Sequence, residues 1–397
     1  AERLADAVVP FSFLLAGLVW LVTRNPARAA SVLLVDYSCA LKLSTPLAVL
    51  AAMKEGVGRG VLVKGGRFLE SLAAADAVVF DKTGTLTESR PRVAEVIPGE
   101  GYERDDILRT AACLEEHFPH PVARAVVRKA EQEGLHHQEE HTEVEYVVAH
   151  GIASRLHGKR VLFGSRHYIH HDEGVPVDGM REDIERLARE GRSILYLAVD
   201  GKLVGLIAIE DPLRPEAAPV IRKLLGRGIR VVMLTGDDER TAAAVAERLG
   251  ISEYRSQVLP TDKAEVIRSL QAEGHTVAML GDGINDSPAL SAADVGVTLS
   301  DGADLAREVA DVVLTECRLD GLVTAVDLSK AAMRRIRTDF GLIMTLNTVF
   351  LASGLAGFLQ PGPSALLHNL TTVGVSLNAM RPMLKAGAEP QLEEVSA

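Results

Sequence analysis

The sequence predicts an α/β protein: a parallel-sheet domain that carries an inserted α+β domain and is flanked by two pairs of membrane-spanning helices. Three observations predict it. Short β-branched apolar runs alternate with amphipathic helical patterns through the middle of the chain, the order that builds a parallel sheet. A stretch of different texture, acidic helices followed by strand-like pieces, interrupts that alternation. Four apolar stretches, two at each end, each approach the roughly 20 residues that a membrane helix needs.

Bulk properties set limits. The 397 residues suffice for two or three domains. A net charge of −11 gives no basis for a nucleic-acid partner. Mean hydropathy of +0.13 is high for a chain with 24% charged residues, so the apolar residues are concentrated in segments. Cys39, Cys113 and Cys317 form no CxxC and no disulfide framework. The start, Ala1-Glu2-Arg3, lacks the basic region and cleavage site of a signal peptide.

Residues 1–60 are assigned the first helix pair. Val8 to Val22 is uniformly apolar, and Ala29 to Met53 is interrupted by Asp36, Cys39 and Lys42. Residues 336–385 are assigned the second pair. Phe340 to Leu359 contains no charge, and Ser364 to Met383 carries His368, Asn369 and several hydroxyls. Lys54, Arg59, Lys64 and Arg67 follow the second stretch, and Lys330, Arg334, Arg335 and Arg337 precede the third. The loop from Gln360 to Pro363 is uncharged, so the positive-inside rule puts the middle region in the cytoplasm, with Arg24 and Arg28 running against it. The tail, 386–397, is acidic and is expected to be disordered.

The parallel-sheet domain is expected in two parts, 61–88 and 206–335, around an insertion at 89–205. Its first strand, Asp76 to Phe80, ends at Asp81 and turns at Gly84. Ile229 to Leu234 ends at Thr235-Gly236-Asp237, and a helix with Ala242, Val245, Ala246 and Leu249 on one face follows. Thr276 to Leu280 ends at Gly281-Asp282-Gly283. Asp294 to Val297 and Val312 to Leu314 read as further short strands. In the insertion, acidic helices around Glu115 and Glu131 precede strand-like pieces at Val144–Val148, Arg160–Phe163 and Ile194–Val199.

Polar groups at the carboxyl ends of parallel strands sit where open α/β sheets bind ligands. A carboxylate there can be a covalent nucleophile. Phosphoryl transfer needs an in-line nucleophile, Mg²⁺ on the oxygens, and fixed donors or cations around the transferring group. The candidates fit those roles. Asp81 attacks; Asp282, with Asp81 and the Thr83 carbonyl, holds Mg²⁺; Thr235 hydrogen-bonds a phosphoryl oxygen; Lys263 in L-P-T-D-K neutralises charge; Asp286 in G-D-G-I-N-D-S-P completes the set. Glycines 84, 236, 281 and 283 allow close backbone approach.

The string Asp81-Lys82-Thr83-Gly84-Thr85-Leu86-Thr87 resembles the phosphorylation motif of P-type ATPases. In their order, the segments resemble that family's haloacid-dehalogenase-like phosphorylation domain, and Asp211-Pro212-Leu213-Arg214 resembles its D-P-x-R hinge. The resemblance runs from Val8 to Arg381 and implies that the insertion is a nucleotide-binding domain, with ATP and Mg²⁺ as cofactors. It implies nucleotide contacts at His120, Gly151, Gly164, Asp211, Gly236 and Asp237. His120-Pro121 matches the end of the heavy-metal branch's S-E-H-P, with Phe118 and Pro119 replacing Ser and Glu. Ala149-His150-Gly151 stands for a G-x-G loop without its first Gly.

Cys39-Ala40-Leu41, Leu43 and Thr45-Pro46 are similar to the C-P-C-A-L-G-L-A-T-P membrane motif of the heavy-metal (type IB) branch, with Tyr37, Ser38 and Lys42 as departures. The resemblance implies ATP-driven export of a transition-metal ion across a prokaryotic plasma membrane, through an aspartyl-phosphate. The ion would meet Asp36, Cys39, His368, Asn369 and Thr372, with Lys42 as counter-ion or as a built-in cation that occupies the site after release, and Asn347 facing them. On a continuous helix Cys39 lies about 60° round from both Asp36 and Lys42. His368, Asn369, Thr372 and Ser376 fall in an arc of about 100°. One thiolate, one imidazole and oxygens suit Zn²⁺, Co²⁺, Fe²⁺, Mn²⁺ or Ni²⁺ better than Cu⁺. No T-G-E, the family's dephosphorylating motif, occurs in the sequence. The expectation is therefore the carboxyl-terminal part of a larger pump, which loads Asp81 slowly without turning over; its partners are the lipid bilayer, the transported ion and the pump's amino-terminal part. The alternative is a membrane-anchored phosphatase of the same superfamily, or a regulatory relic. A phosphatase should carry an acid two residues after the nucleophile, where this chain has Thr83. A potassium pump fits poorly with Cys39 and His368.

Overall fold

A computed structural model describes residues 2–35, 37–88, 90–116, 121–135, 141–147, 151–281 and 284–384. Asp36, His120, Asp282 and the 386–397 tail lie outside the described residues. The chain divides into two compact units, Ala75–Ala310 with Cys317–Leu319, and Ala1–Ala74 with Asp311–Glu316 and Asp320–Ala397.

The first unit holds the parallel sheet. Its strands run in the order Val295–Leu299, Val277–Leu280, Ala77–Asp81, Arg230–Leu234, Glu253–Arg255. All five are parallel where paired, with Phe80 level with both Leu280 and Met233, and Asp81 level with Leu234. Every residue of Ala77–Asp81 is buried, as expected for a central strand covered on both faces. The helix Glu239–Leu249 begins where Asp238 accepts from the Arg240 and Thr241 amides at 3.0 Å, and ends at Gly250 with φ 73°.

The insertion is a six-stranded antiparallel sheet in the order Arg92–Pro98, Lys202–Glu210, Ser193–Val199, Lys159–Gly164, Gly151–Leu156, His141–Val147. Helices Arg104–Glu115 and Pro121–Gln132 share one apolar core with it, around Ile107, Leu108, Val126 and Phe163. A second core, around Ile169, Leu187 and Tyr196, includes helix Arg181–Arg189. Strand Lys202–Glu210 belongs to this sheet, so the insertion runs past the expected residue 205. Gly205 reads as a break in the sequence, but it pairs inside the strand with Pro98 and Leu197, and a side chain there would strike Ile107.

The other unit is helical: Glu2–Thr23, Pro26–Leu34, Tyr37–Val57, Gly66–Ala74, Asp320–Ala356 and Pro361–Ala379. Val312–Leu314 pairs antiparallel with Val61–Val63. The four apolar stretches are mainly helical; the second is divided between helices Pro26–Leu34 and Tyr37–Val57, and the fourth leaves its helix after Ala379. Two spans, Pro26–Val57 and Asp320–Ala356, are long and apolar enough to cross a membrane by length and composition. The 37 residues of Asp320–Ala356 reach about 55 Å at 1.5 Å per residue, well beyond a hydrocarbon core of about 30 Å. Glu2–Thr23 contributes a shorter apolar run, Ser12–Thr23. Phe13, Leu14, Trp20, Leu366, Leu370 and Leu377 are exposed, as suits helices with apolar surroundings.

Candidate phosphoryl-transfer and cation sites

Asp81 is the last residue of the central strand, 5% exposed. The chain then turns through Thr83 and Gly84, the latter at φ +81°, a conformation that glycine adopts without strain. The turn is closed by Thr87, whose hydroxyl accepts from the Gly84 amide at 2.8 Å and donates to Asp211 at 2.5 Å. Register places Thr235 and Gly281 at the same edge of the sheet, directly after Leu234 and Leu280. The Lys263 ammonium lies 2.6 Å from Asp81 Oδ1 and 2.6 Å from Asp286 Oδ1, all three side chains buried. Burial disfavours the Lys263 cation, but the two carboxylates outweigh it and hold its pKa above the ordinary lysine range. One ammonium between two carboxylates leaves the cluster with one net negative charge, the condition a cation would relieve. The oxygen donors at this edge are carboxylates, the hard ligands that Mg²⁺ takes. The residues present therefore fit Mg²⁺.

A second cluster adjoins the first. Lys82, the residue after Asp81, ion-pairs with Asp237. Asp237 also accepts from the Thr235 hydroxyl at 2.9 Å and from the Ser193 hydroxyl at 2.7 Å. Ser193 begins a strand of the insertion, and its oxygen is 3.4 Å from Lys82 Nζ. Burial pushes the Asp237 carboxyl up, but the Lys82 ammonium and the hydroxyl donors hold it below the usual carboxylate range. Thr241 reinforces the contact by donating to the Arg192 carbonyl at 3.3 Å. Lys82 and Ser193 were not among the sequence-derived candidates. Lys82 sat inside the quoted string; Ser193 carries no signal in a single sequence.

Asp211 lies at the hinge, accepting from Thr87 and from the Arg90 amide at 3.1 Å. Its burial raises its pKa, and those two donors offset only part of the rise. Arg214 donates to the carbonyls of Thr87 at 3.0 Å, Cys317 at 3.0 Å and Gly84 at 3.2 Å, which clamps the turn after Asp81. Gly151 and Gly164 face each other in register on adjacent strands. A side chain at 151 would strike the Phe163 carbonyl and the Tyr168 ring, both 2.5 Å from its Cβ position, so packing alone requires this glycine. Gly236 is exposed beside Asp237, and the Thr83 side chain is exposed.

In the helical unit, His368 Nδ1 and Asn347 Oδ1 lie 3.3 Å apart, both side chains buried. Thr372 donates to the His368 carbonyl at 3.1 Å, a bond within its own helix. Asn369 is exposed, because one residue turns a helix by about 100° and carries it off the buried stripe of Ser364, His368 and Ser376. Cys39 and Lys42 are exposed, while Ala40 and Leu41 pack against Ile343 and Val375. Among the described residues, which do not include Asp36, no group of three or more His, Cys, Asp or Glu side chains forms a metal site.

Comparison with known proteins bears on this geometry. A family model for haloacid dehalogenase-like hydrolases matches residues 75–294. A zinc-exporting P-type ATPase of Mycobacterium marinum is 42% identical over 383 residues, covering 96% of this chain and 52% of that protein. A manganese-exporting P-type ATPase of Mycobacterium bovis is 41% identical over 383 residues, covering 96% and 53%. The crystal structure of a zinc-transporting PIB-type ATPase in the E2.Pi state matches with a TM-score of 0.72 at 34% identity, covering 96% of this chain and 63% of that one. The chain spans about half the length of the curated relatives it matches.

Proposed function

Because the chain belongs to the haloacid dehalogenase-like hydrolases, with heavy-metal P-type ATPases as its relatives, we propose that it is the ATP-using and cation-conducting part of a transition-metal exporter. The observation that carries this reading is Asp81, a buried strand-end carboxylate held 2.6 Å from the Lys263 ammonium, with no acid at position 83. The Asp81 carboxylate attacks the γ-phosphorus of ATP; the bond to the β-bridging oxygen breaks, ADP leaves, and Asp81 becomes an acyl phosphate. Lys263 neutralises charge gathering on the phosphoryl oxygens, and Thr235 donates to one of them. Asp81, the Thr83 carbonyl and Asp282 would hold Mg²⁺, whose charge stabilises the transferring group. Thr83 supplies no general acid or base for hydrolysis, so the acyl phosphate persists, as a pump requires and a phosphatase does not.

The insertion delivers ATP, with Gly151, Gly164, His120, Asp211, Gly236 and Asp237 as candidate contacts. The helical unit crosses the bilayer of a prokaryotic plasma membrane as a multi-pass segment, and the cation passes His368 and Asn347. Incubating the full chain with γ-labelled ATP and Mg²⁺ tests the reading. The expected product is an acid-stable, hydroxylamine-labile label that is absent in Asp81→Asn. A label that persists in that variant would sink the proposal.

A further inference from the structure

Asp339 stands apart from every residue considered above. It lies on helix Asp320–Ala356 directly before the charge-free run that begins at Phe340, and it is 2% exposed. Its Oδ1 accepts from the Asn378 amide at 2.7 Å. Its Oδ2 is buried and, among the described residues, has no hydrogen-bond partner. Arg335, one turn earlier, does not fill that position: its guanidinium donates to the Asn378 and Pro382 carbonyls at the end of the neighbouring helix. A carboxylate buried at the edge of an apolar segment with one oxygen left without a donor is costly, and such a residue in a membrane segment defaults to function.

Its position points to that function. Asp339 and Asn347 are both buried on the same helix, eight residues apart, hence about 12 Å along its axis. Antiparallel to it, Asn378 meets Asp339 and His368 meets Asn347. The two helices therefore bury two polar stations between them, one at the basic, charge-rich end and one deeper. We propose that Asp339, oriented by Asn378, binds a divalent first-row transition-metal cation at the mouth of the path to His368 and Asn347. Oδ2 is the ligand atom. The Asn378 amide holds the carboxylate through Oδ1 and leaves Oδ2 for the cation. The inference rests on the transport reading above but concerns a residue that reading does not use.

The test is Mn²⁺ binding to the detergent-solubilised full chain, followed by electron paramagnetic resonance, with excess Mg²⁺ to saturate the Asp81 edge. Asp339→Asn is expected to weaken one class of Mn²⁺ site by more than about tenfold, Asn378→Ala by about tenfold as an orienting partner, and Asp339→Glu to retain binding. Hydroxylamine-labile phosphate on Asp81 serves as the fold control and should form in all three variants. Wild-type Mn²⁺ affinity in both Asp339→Asn and Asn378→Ala would overturn the proposal. If Asp339→Asn fails to fold, unchanged affinity in Asn378→Ala overturns it alone. Loss of Mn²⁺ in Asp339→Glu as great as in Asp339→Asn would also overturn it, as evidence of a packing role. Failure of the wild type to form the acyl phosphate would instead strike the transport reading, and the Mn²⁺ titration would remain interpretable.

Discussion

Replacing Lys263 by Met probes the charge arrangement at Asp81 directly. The side chains are similar in volume, so packing is nearly preserved while the ammonium is removed. Asp81 and Asp286, each 2.6 Å from that ammonium, would then share a buried space without a counter-charge. Breaking a buried pair by removing one partner costs about 3–5 kcal/mol, because the remaining charge is left uncompensated. Two facing carboxylates relieve that strain by binding a proton between them, which raises the apparent pKa of the pair toward neutrality. Asp81 attacks only when ionised. Lys263→Met should therefore form acyl phosphate at least tenfold more slowly than wild type at pH 7, with a rate that climbs as pH rises from 6 to 9. Wild type should be flat over that range, since Lys263 keeps its charge well above it. Adding Asp286→Asn to Lys263→Met removes one of the two carboxylates and should restore more than 1 kcal/mol of local stability, read as slower hydrogen exchange at the Ala77–Asp81 strand. Strictly additive losses in the double variant, or a Lys263→Met rate within about threefold of wild type at pH 7, would refute the reasoning.

Three further outcomes follow from the same geometry. Ser193→Ala removes the 2.7 Å bond to Asp237, worth about 1–1.5 kcal/mol, and should slow phosphorylation of Asp81 by about tenfold with Ser193→Thr restoring it; an unchanged rate would show that the contact is incidental. Arg214→Lys cannot reproduce three separate carbonyl contacts and should expose the Lys82–Leu86 turn to protease at least fivefold faster, measured by limited proteolysis with mass mapping. Glu115 is half-buried at the end of helix Arg104–Glu115, and its partial burial pushes its pKa up to about 7. Because the folded value exceeds the unfolded one, the wild type loses stability as pH rises from about 4.5 to 7, by about 3 kcal/mol at full effect. Glu115→Gln should thus exceed the wild type in thermal stability at pH 8 and match it at pH 4; equal melting at pH 8 would count against it.

The parallel sheet was legible because its strands are short, apolar and bounded by glycine, and because a fully buried strand such as Ala77–Asp81 needs no periodicity beyond that. The strand at Val312–Leu314 was legible as a strand but not as to its partner. Three buried residues carry no direction, and antiparallel pairing with Val61–Val63 is a tertiary choice. The candidate residues at strand ends were readable as such, since chain order fixes them to the sheet edge. Residues that join distant segments were not: nothing local in Gly191-Arg192-Ser193 marks a hydroxyl aimed at Asp237. In the helical unit the polar residues were visible, but which of them share a face depends on where neighbouring helices pack. His368 and Asn347 meet, whereas Asn369 turns away and Thr372 is engaged by its own backbone.

The two lysines of the phosphoryl site show why the arrangement is preformed. Lys82 is covalently next to Asp81, yet successive residues at a strand end point to opposite sides, so its ammonium cannot fold back on that carboxylate. It reaches Asp237 instead, and the Asp81 carboxylate is left to Lys263, which arrives from 182 residues away. Each lysine therefore neutralises a carboxylate on a different strand end. Lys263 steadies the nucleophile, while Lys82 and Asp237 form the pair that Ser193 of the insertion joins. The nearer lysine thus links the insertion to the edge of the sheet. Displacing Ser193 loosens Asp237, and with it Lys82 and the Thr235 hydroxyl, without touching the Lys263–Asp81 bond. The insertion thus reaches the sheet edge through the residue directly after Asp81, whereas the Lys263–Asp81 bond lies within the parallel-sheet domain.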